Sequence, residues 1–361
     1  MDVPRILRSR RVIGRSFLVF TCFLSIPIFL FTALIFVMFP RVGLSLLLLG
    51  QRHERVVGFS DRVDLGGVGR LRADPTIVMR VEHPNLPEKP PARLALYLRG
   101  ASFDRYNGRS WSRTTPSTQV RAEQIGASVR LRRWPDPARD RRLRIDLEPI
   151  DPTVVFLPPE AVAIQLLTPG HVVPATLPAL YVSQEGQLTY RSPGDNGLRY
   201  DVALAGVDEQ PQRPLDAAAR ARYLALPSDL PVRVGELAKT WIGGESDPER
   251  QAKIVEARLR ERYTYDLESP SGGAKNPLDD FLFKSKRGHC EFYSTAMAML
   301  LRTQGVPTRN VNGFIGGTFN RFAGYYAVRQ GDAHSWVEAY IEGKGFVRFD
   351  PTPPADAAPQ S

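Results

Sequence analysis

The sequence predicts an α+β protein: an N-terminal membrane helix, a β-rich exported region, then helices packed on an antiparallel sheet. Three observations predict it. Residues 17–39 form an uncharged apolar run, residues 56–206 alternate short β-type runs with Pro and Gly, and from about residue 215 a helical period gives way to strand patterning. Helices followed by a run of strands is the α+β order. With 43% hydrophobic and 24% charged residues, the chain is neither disordered, collagen-like nor a coiled coil. Its 361 residues, at roughly 100–200 per domain, correspond to about two domains.

The apolar run comes first. Its 23 residues (FLVFTCFLSIPIFLFTALIFVMF) exceed the roughly 20 that a helix needs to cross the hydrocarbon core. A cleaved signal peptide has an apolar region of only about 7–15 residues and a small-residue cleavage site, so an uncleaved anchor over residues 16–40 is expected. Pro27 is tolerable there, because neighbouring groups in a membrane helix can satisfy the freed carbonyl. Arg5, Arg8, Arg10, Arg11 and Arg15 precede the run, and Arg41, Arg52 and Arg55 follow it more sparsely. The positive-inside bias leaves residues 1–15 in the cytoplasm and exports the rest, which places the protein in the cell membrane as a single-pass species. The short apolar patch 44–49 is expected at the interface.

Net charge is +10, of which the first 15 residues supply +4. The diffuse remainder argues against nucleic acid as a partner. The arginine-rich stretch 130–144 is interleaved with Asp136, Asp140 and two prolines, and reads as a solvated loop. The β-rich region, residues 51–206, contains strand-like runs at 76–81, 94–98, 128–131, 143–147, 153–157 and 198–204, the spacing of a sandwich or irregular barrel. Residues 207–214 (VDEQPQRP) read as a linker.

In residues 215–355, Asp247-Pro248-Glu249 looks like an N-cap followed by Pro at the first helical position. Ile254, Val255, Leu259 and Tyr263 continue it with one buried stripe. Cys290 opens a second helix that runs to about Gln304, stopped by Gly305 and Pro307. Strands follow at 306–314, 324–329, 334–341 and 345–350, the last two joined by the short turn Glu342-Gly343-Lys344-Gly345. Residues 356–361 are a tail.

Two cysteines cannot build a disulfide framework. Cys22 lies in the apolar run, so Cys290 is the lone thiol of the exported part. At a helix N-terminus, unpaired N–H groups and the helix dipole favour thiolate, the nucleophilic form, and Gly288 would let a tight turn present the sulfur at a rim. Of the five histidines, His53, His83 and His171 lie near the membrane or in the β-rich region. His289 adjoins the thiol but should point about 100° away from it. His334 sits on a strand whose hairpin partner ends at Asp350, which places the carboxylate opposite or diagonal to it. That is a nucleophile–base–orienter arrangement. Zinc held by Cys290, His289, His334 and Asp332 is the competing reading, but the sequence lacks a C-x-x-C or H-E-x-x-H pair. No phosphate loop or dinucleotide fingerprint occurs, so no cofactor is expected.

These residues carry a resemblance. Pro277-Leu278-Asp279-Asp280-Phe281-Leu282 and Arg287-Gly288-His289-Cys290-Glu291 look like the nucleophile segment of the transglutaminase-like superfamily, and Arg302, Gly305, Val306, Pro307 and Arg309 continue it. Asp332-Ala333-His334-Ser335-Trp336-Val337-Glu338 resembles its histidine segment, and Phe346-Val347-Arg348-Phe349-Asp350-Pro351-Thr352 its acidic one. Upstream, the stretches Phe39-Pro40-Arg41, Tyr97-Leu98-Arg99-Gly100 and Asp104-Arg105-Tyr106-Asn107-Gly108-Arg109-Ser110-Trp111 are similar to the bacterial membrane-anchored branch. That branch usually carries several N-terminal membrane helices, and often another behind the catalytic domain.

The resemblance implies a papain-like core in which Cys290, His334 and Asp350 are catalytic. It implies acyl transfer from a glutamine carboxamide to an amine, with protein or peptide substrates in the envelope and the bilayer as the remaining partner. A cysteine peptidase or amidase using the same trio, or a non-catalytic assembly module, are the alternatives.

Overall fold

The computed structural model describes residues 14–38, 56–57, 63–64, 74–84, 89–114, 120–167, 177–183, 185–191, 197–206 and 214–354. It divides into two compact units, residues 1–54 and 55–361. The first holds helix α1 (Arg15–Met38), with Pro27 inside it. Residues 15–34 are long and apolar enough to cross a membrane. The hydroxyls of Thr21, Ser25 and Thr32 donate to carbonyls one turn back, which satisfies their only polar groups within the helix. The basic segment 1–13, the apolar patch 44–49, residues 207–213 of the expected linker and the tail lie outside the described residues.

The second unit holds twelve principal strands: β1 (Ile77–Glu82), β2 (Tyr97–Phe103), β3 (Gln124–Ile125), β4 (Ser128–Arg130), β5 (Arg141–Leu147), β6 (Ala161–Leu167), β7 (Leu198–Leu204), β8 (Thr308–Ile315), β9 (Thr318–Asn320), β10 (Tyr325–Arg329), β11 (Ala333–Ile341) and β12 (Gly345–Phe349). Eight form an antiparallel sheet in the order β9-β10-β1-β5-β7-β6-β4-β3. Its sequence logic is period two. In β5, Leu143, Ile145 and Leu147 are buried, while Arg144 and Asp146 face out opposite Asp201 and Arg199. Those cross-strand neighbours pair at 2.8 and 2.7 Å. A smaller sheet of Val120–Arg121, Val154–Val155, Ala179–Val182 and Leu188–Arg191 shares the same apolar core.

The arginine-rich stretch is the expected loop between strands, intermediate or exposed over residues 131–140. Its ends belong to β4 and β5, and its middle is pinned because Arg133 forks onto the carboxylate of Asp140, whose side chain is nearly buried.

The C-terminal segment contributes α2 (Ala217–Leu224), α3 (Val232–Ile242), α4 (Pro248–Arg262) and α5 (Cys290–Thr303). The Asp247 side chain caps α4 by accepting from Arg250 N at 2.8 Å, with Pro248 at the first position. Residues 290–302 of α5 are buried without exception, so this helix is central rather than amphipathic. It packs between α3 and α4 on one side and β11 and β8 on the other.

The four-stranded antiparallel sheet beneath α5 runs β12-β11-β8-β2. Its fourth strand comes from the upstream region, and in exchange β9 and β10 extend the upstream sheet. The two sequence regions are therefore interleaved through two shared sheets. Gly313 permits the β2–β8 contact: a Cβ there would lie 2.0 Å from the Leu98 carbonyl oxygen and 2.7 Å from the Trp336 ring.

Candidate active site

The hairpin β11–β12 brings His334 and Asp350 together. Val337 pairs with Phe349, so Asp350 falls one step beyond the ladder and diagonal to His334. The two join through His334 Nε2 and Asp350 Oδ2 at 2.8 Å. His334 Nδ1 makes no conventional hydrogen bond, and the remaining partner of the ring is the Cys290 thiol.

Asp350 is held from several sides. Thr352 N donates to Oδ1 at 3.1 Å, and Tyr97 Oη donates to Oδ2 at 2.7 Å. Its backbone N–H donates to Glu256 Oε1 at 2.8 Å, and its carbonyl accepts from Arg260 one turn further along α4. Three of these five partners, His334, Tyr97 and Thr352, fix the carboxylate, and the other two fix its backbone.

Cys290 occupies the first turn of α5 and is fully buried, so the sulfur sits beneath the surface rather than at a rim. Gly288 also serves a different purpose from the expected turn. It pairs with Tyr265 in a short parallel bridge, and a Cβ there would lie 3.0 Å from the rings and side chains of Phe281 and Phe292. Close packing behind Cys290, not backbone freedom, selects glycine.

Electrostatics favour an ion pair. Burial would push the Cys290 thiol up, but hydrogen bonds and charge from His289 and His334 outweigh it and hold the thiol well below its ordinary range. Burial pushes His334 down, yet the Asp350 carboxylate and the thiolate raise it well above the ordinary imidazole range. Asp350 goes down to about 2 despite burial, chiefly through the His334 charge and its hydrogen bonds from His334 and Tyr97. A thiolate–imidazolium–carboxylate chain is the consistent protonation state.

His289 is closer to the chemistry than its sequence position implies. It is buried, interacts with the thiol, packs edge-on against Phe292 at 4.9 Å, and has Nδ1 3.8 Å from Glu291 Oε2. His334, by contrast, has the Asp350 carboxylate at 2.8 Å. Asp332 turns elsewhere, bonding the Arg329 N–H at 2.8 Å and pairing with Arg93, so the four residues of the zinc reading do not converge. Trp336 is fully buried, stacked near His334 at 6.3 Å and edge-on to Tyr97 at 5.3 Å, which is a packing position.

Tyr97, Glu256 and Arg260 were not singled out from the sequence. Glu256 and Arg260 had a signal, the i, i+4 spacing of an opposite-charge pair on one helix face. Tyr97 stands in a stretch that carries the resemblance, but nothing local pointed to its place beside Asp350, because that depends on a strand exchange. Beside the site, Glu338 on β11 sits between Arg309 of β8 (Nε, 2.6 Å) and Arg99 of β2 (Nε, 3.2 Å), all three nearly buried.

Comparisons with known proteins show what the chain resembles. Residues 235–351 match the Transglutaminase-like superfamily, and residues 5–211 match the TgpA N-terminal domain. The chain is 28% identical over 320 residues to a protein-glutamine gamma-glutamyltransferase of Pseudomonas aeruginosa, covering 88% of this chain and 44% of that protein. It is 37% identical over 138 residues to the uncharacterized protein YebA of Bacillus subtilis, covering 36% and 19%. The chain thus spans less than half the length of either curated relative. Among solved structures, the periplasmic domain of TgpA from Pseudomonas aeruginosa superposes with a TM-score of 0.63 at 26% identity, covering 82% of this chain and 94% of that one. With more than half of its length matched by residues 5–211, the chain belongs to the TgpA N-terminal domain family and carries a transglutaminase-like superfamily domain behind it.

Proposed function

We propose that this protein is an envelope-facing acyltransferase, anchored by α1 with its N-terminus in the cytoplasm, that joins a glutamine side chain to an amine. The observation that carries the reading is the His334–Asp350 bond of 2.8 Å, together with the interaction of the same imidazole with the buried Cys290 thiol. In the first half-reaction the thiolate sulfur attacks the carboxamide carbon, and the imidazolium passes its proton to the departing nitrogen. Ammonia leaves and a thioester remains. In the second, an amine attacks the thioester carbon, His334 takes its proton, and the thiolate is regenerated. The Cys290 backbone N–H, in a helical turn whose N–H groups lack intrahelical acceptors, is the candidate donor to the oxyanion.

Burial of the thiol supports transfer over hydrolysis, because a site closed to bulk water protects the thioester until an amine enters. The anchoring and orientation follow from the apolar α1 and the five arginines ahead of it. The test is incubation of the full chain in detergent with a glutamine donor, with and without a primary amine. Ammonia release with amine incorporation is the expected result. Ammonia release without incorporation identifies an amidase, peptide-bond cleavage identifies a peptidase, and no turnover, with Cys290→Ala indistinguishable from wild type, identifies an assembly module.

A further inference from the structure

We infer that Tyr97, carried into the catalytic sheet by the upstream region, is a positioning residue for the reaction, setting the orientation and basicity of the carboxylate behind His334. The inference rests on the acyl-transfer reading of Cys290, His334 and Asp350.

The geometry is specific. Tyr97 Oη and His334 Nε2 meet the same oxygen, Asp350 Oδ2, at 2.7 and 2.8 Å, while Thr352 N takes Oδ1. A carboxylate engaged at both oxygens cannot rotate away from the imidazole, and preorganisation of this kind is how a supporting group acts on chemistry it does not touch. The phenol is itself fixed, edge-on to Trp336, tilted against His334 at 6.4 Å, and covered on its face by the Arg348 guanidinium at 3.8 Å. Burial and the neighbouring Asp350 charge push its ionisation upward, so it stays protonated and keeps donating.

Sharing Oδ2 has a second effect. Each donor on a carboxylate lowers its affinity for protons, and Tyr97 lowers that of Asp350. A less basic carboxylate holds the imidazolium less tightly, so the phenol tempers the rise that Asp350 imposes on His334. The other titratable and charged groups facing this cluster are Cys290 on α5, His289 just ahead of it, Glu256 and Arg260 on α4, and Arg348 on β12. All of them remain when the phenolic oxygen is removed.

Two substitutions with opposite signs test this in the full chain in detergent. Tyr97→Phe keeps the ring and deletes the donor. We expect kcat/KM near neutrality to fall about 3- to 10-fold, and the alkaline limb, where His334 loses its proton, to move up by roughly half a pH unit or more. Site-specific 2,3-difluorotyrosine at position 97 is a stronger donor and should move the same limb down. The His334 titration is read independently of turnover from the imidazole ¹⁵N resonances of histidine-labelled protein, assigned with His334→Ala. Opposite displacements support the inference. An unmoved titration in both variants, or displacement in one common direction, overturns it even if stability falls, because a purely structural brace would leave the imidazole where it was. Because the resonance measurement needs no substrate, it stands apart from the transferase test. If Cys290→Ala kept full turnover, the underlying reading would fail instead.

Discussion

Replacing Glu338 by alanine would leave the two guanidiniums of Arg99 and Arg309 in the interior without their shared carboxylate. The side chains of the trio are 13%, 12% and 8% exposed for Arg99, Arg309 and Glu338. Removing one partner of a buried charge group costs about 3–5 kcal/mol, because the remaining charge stays desolvated. Other contacts soften the loss. Arg99 Nη2 keeps Ser102 Oγ at 3.0 Å and the Glu185 carbonyl at 3.1 Å, and Arg309 lies 3.9 Å over the Phe346 ring. The lower bound, about 3 kcal/mol, is therefore expected. At roughly 2–4 °C per kcal/mol in a domain somewhat smaller than this one, Tm should fall by about 6–12 °C.

The assay is urea and thermal unfolding of wild type, Glu338→Ala and Glu338→Gln, followed by circular dichroism. Burial would raise the Glu338 pKa, but the charges of Arg309 and Arg99 depress it. Its contribution is therefore present above the unfolded carboxyl range and lost as pH falls through the lower folded value. Wild type should lose stability through that acid window more steeply than Glu338→Gln. A drop below about 1 kcal/mol for Glu338→Ala, or identical acid profiles, would refute the view that this trio joins the upstream strand to the catalytic sheet.

Three further outcomes are expected. Cys290→Ala should abolish transfer and His334→Ala should be nearly as damaging, since nucleophile and base act as a unit; steady-state rates on a glutamine donor check both. Asp350→Asn should lower kcat about ten- to a hundredfold and, by removing the charge that raises His334, move the alkaline limb of the pH–rate profile down. Gly313→Ala should fail to accumulate as folded protein, because its Cβ would meet the Leu98 carbonyl oxygen at 2.0 Å with no flexible atom to yield; proteolytic resistance during expression reads this.

Local signals were legible where local chemistry decides the structure. The Asp247–Pro248 start of α4, the Cys290 start of α5 and strand β7 at 198–204 all lie where capping and alternation place them. The meeting of His334 with Asp350 was legible for the same reason, since a short turn sets the register of a hairpin. Missed elements depend on distant partners. The 94–98 run is displaced to Tyr97–Phe103 because pairing with β8 selects which residues extend. Helices α2 and α3 carry weak signals: α2 is alanine- and arginine-rich with one buried residue, and α3 begins at a proline without a side-chain cap. The role of Tyr97 was not legible because its partner lies 253 positions away, and His289, read as pointing away from the thiol, interacts with it.

The interleaving of the two sheets has a consequence for biogenesis. Tyr97 and Asp350, joined through one oxygen, are 253 positions apart, and Trp111 bonds Thr295 of α5 across 184. Contacts of such span form late and slowly, because long loops must close before any reward arrives. A nascent chain would thus emerge with Cys290 apart from His334 and Asp350 until the β11–β12 hairpin had been made. Closure of both sheets therefore precedes any meeting of the three side chains.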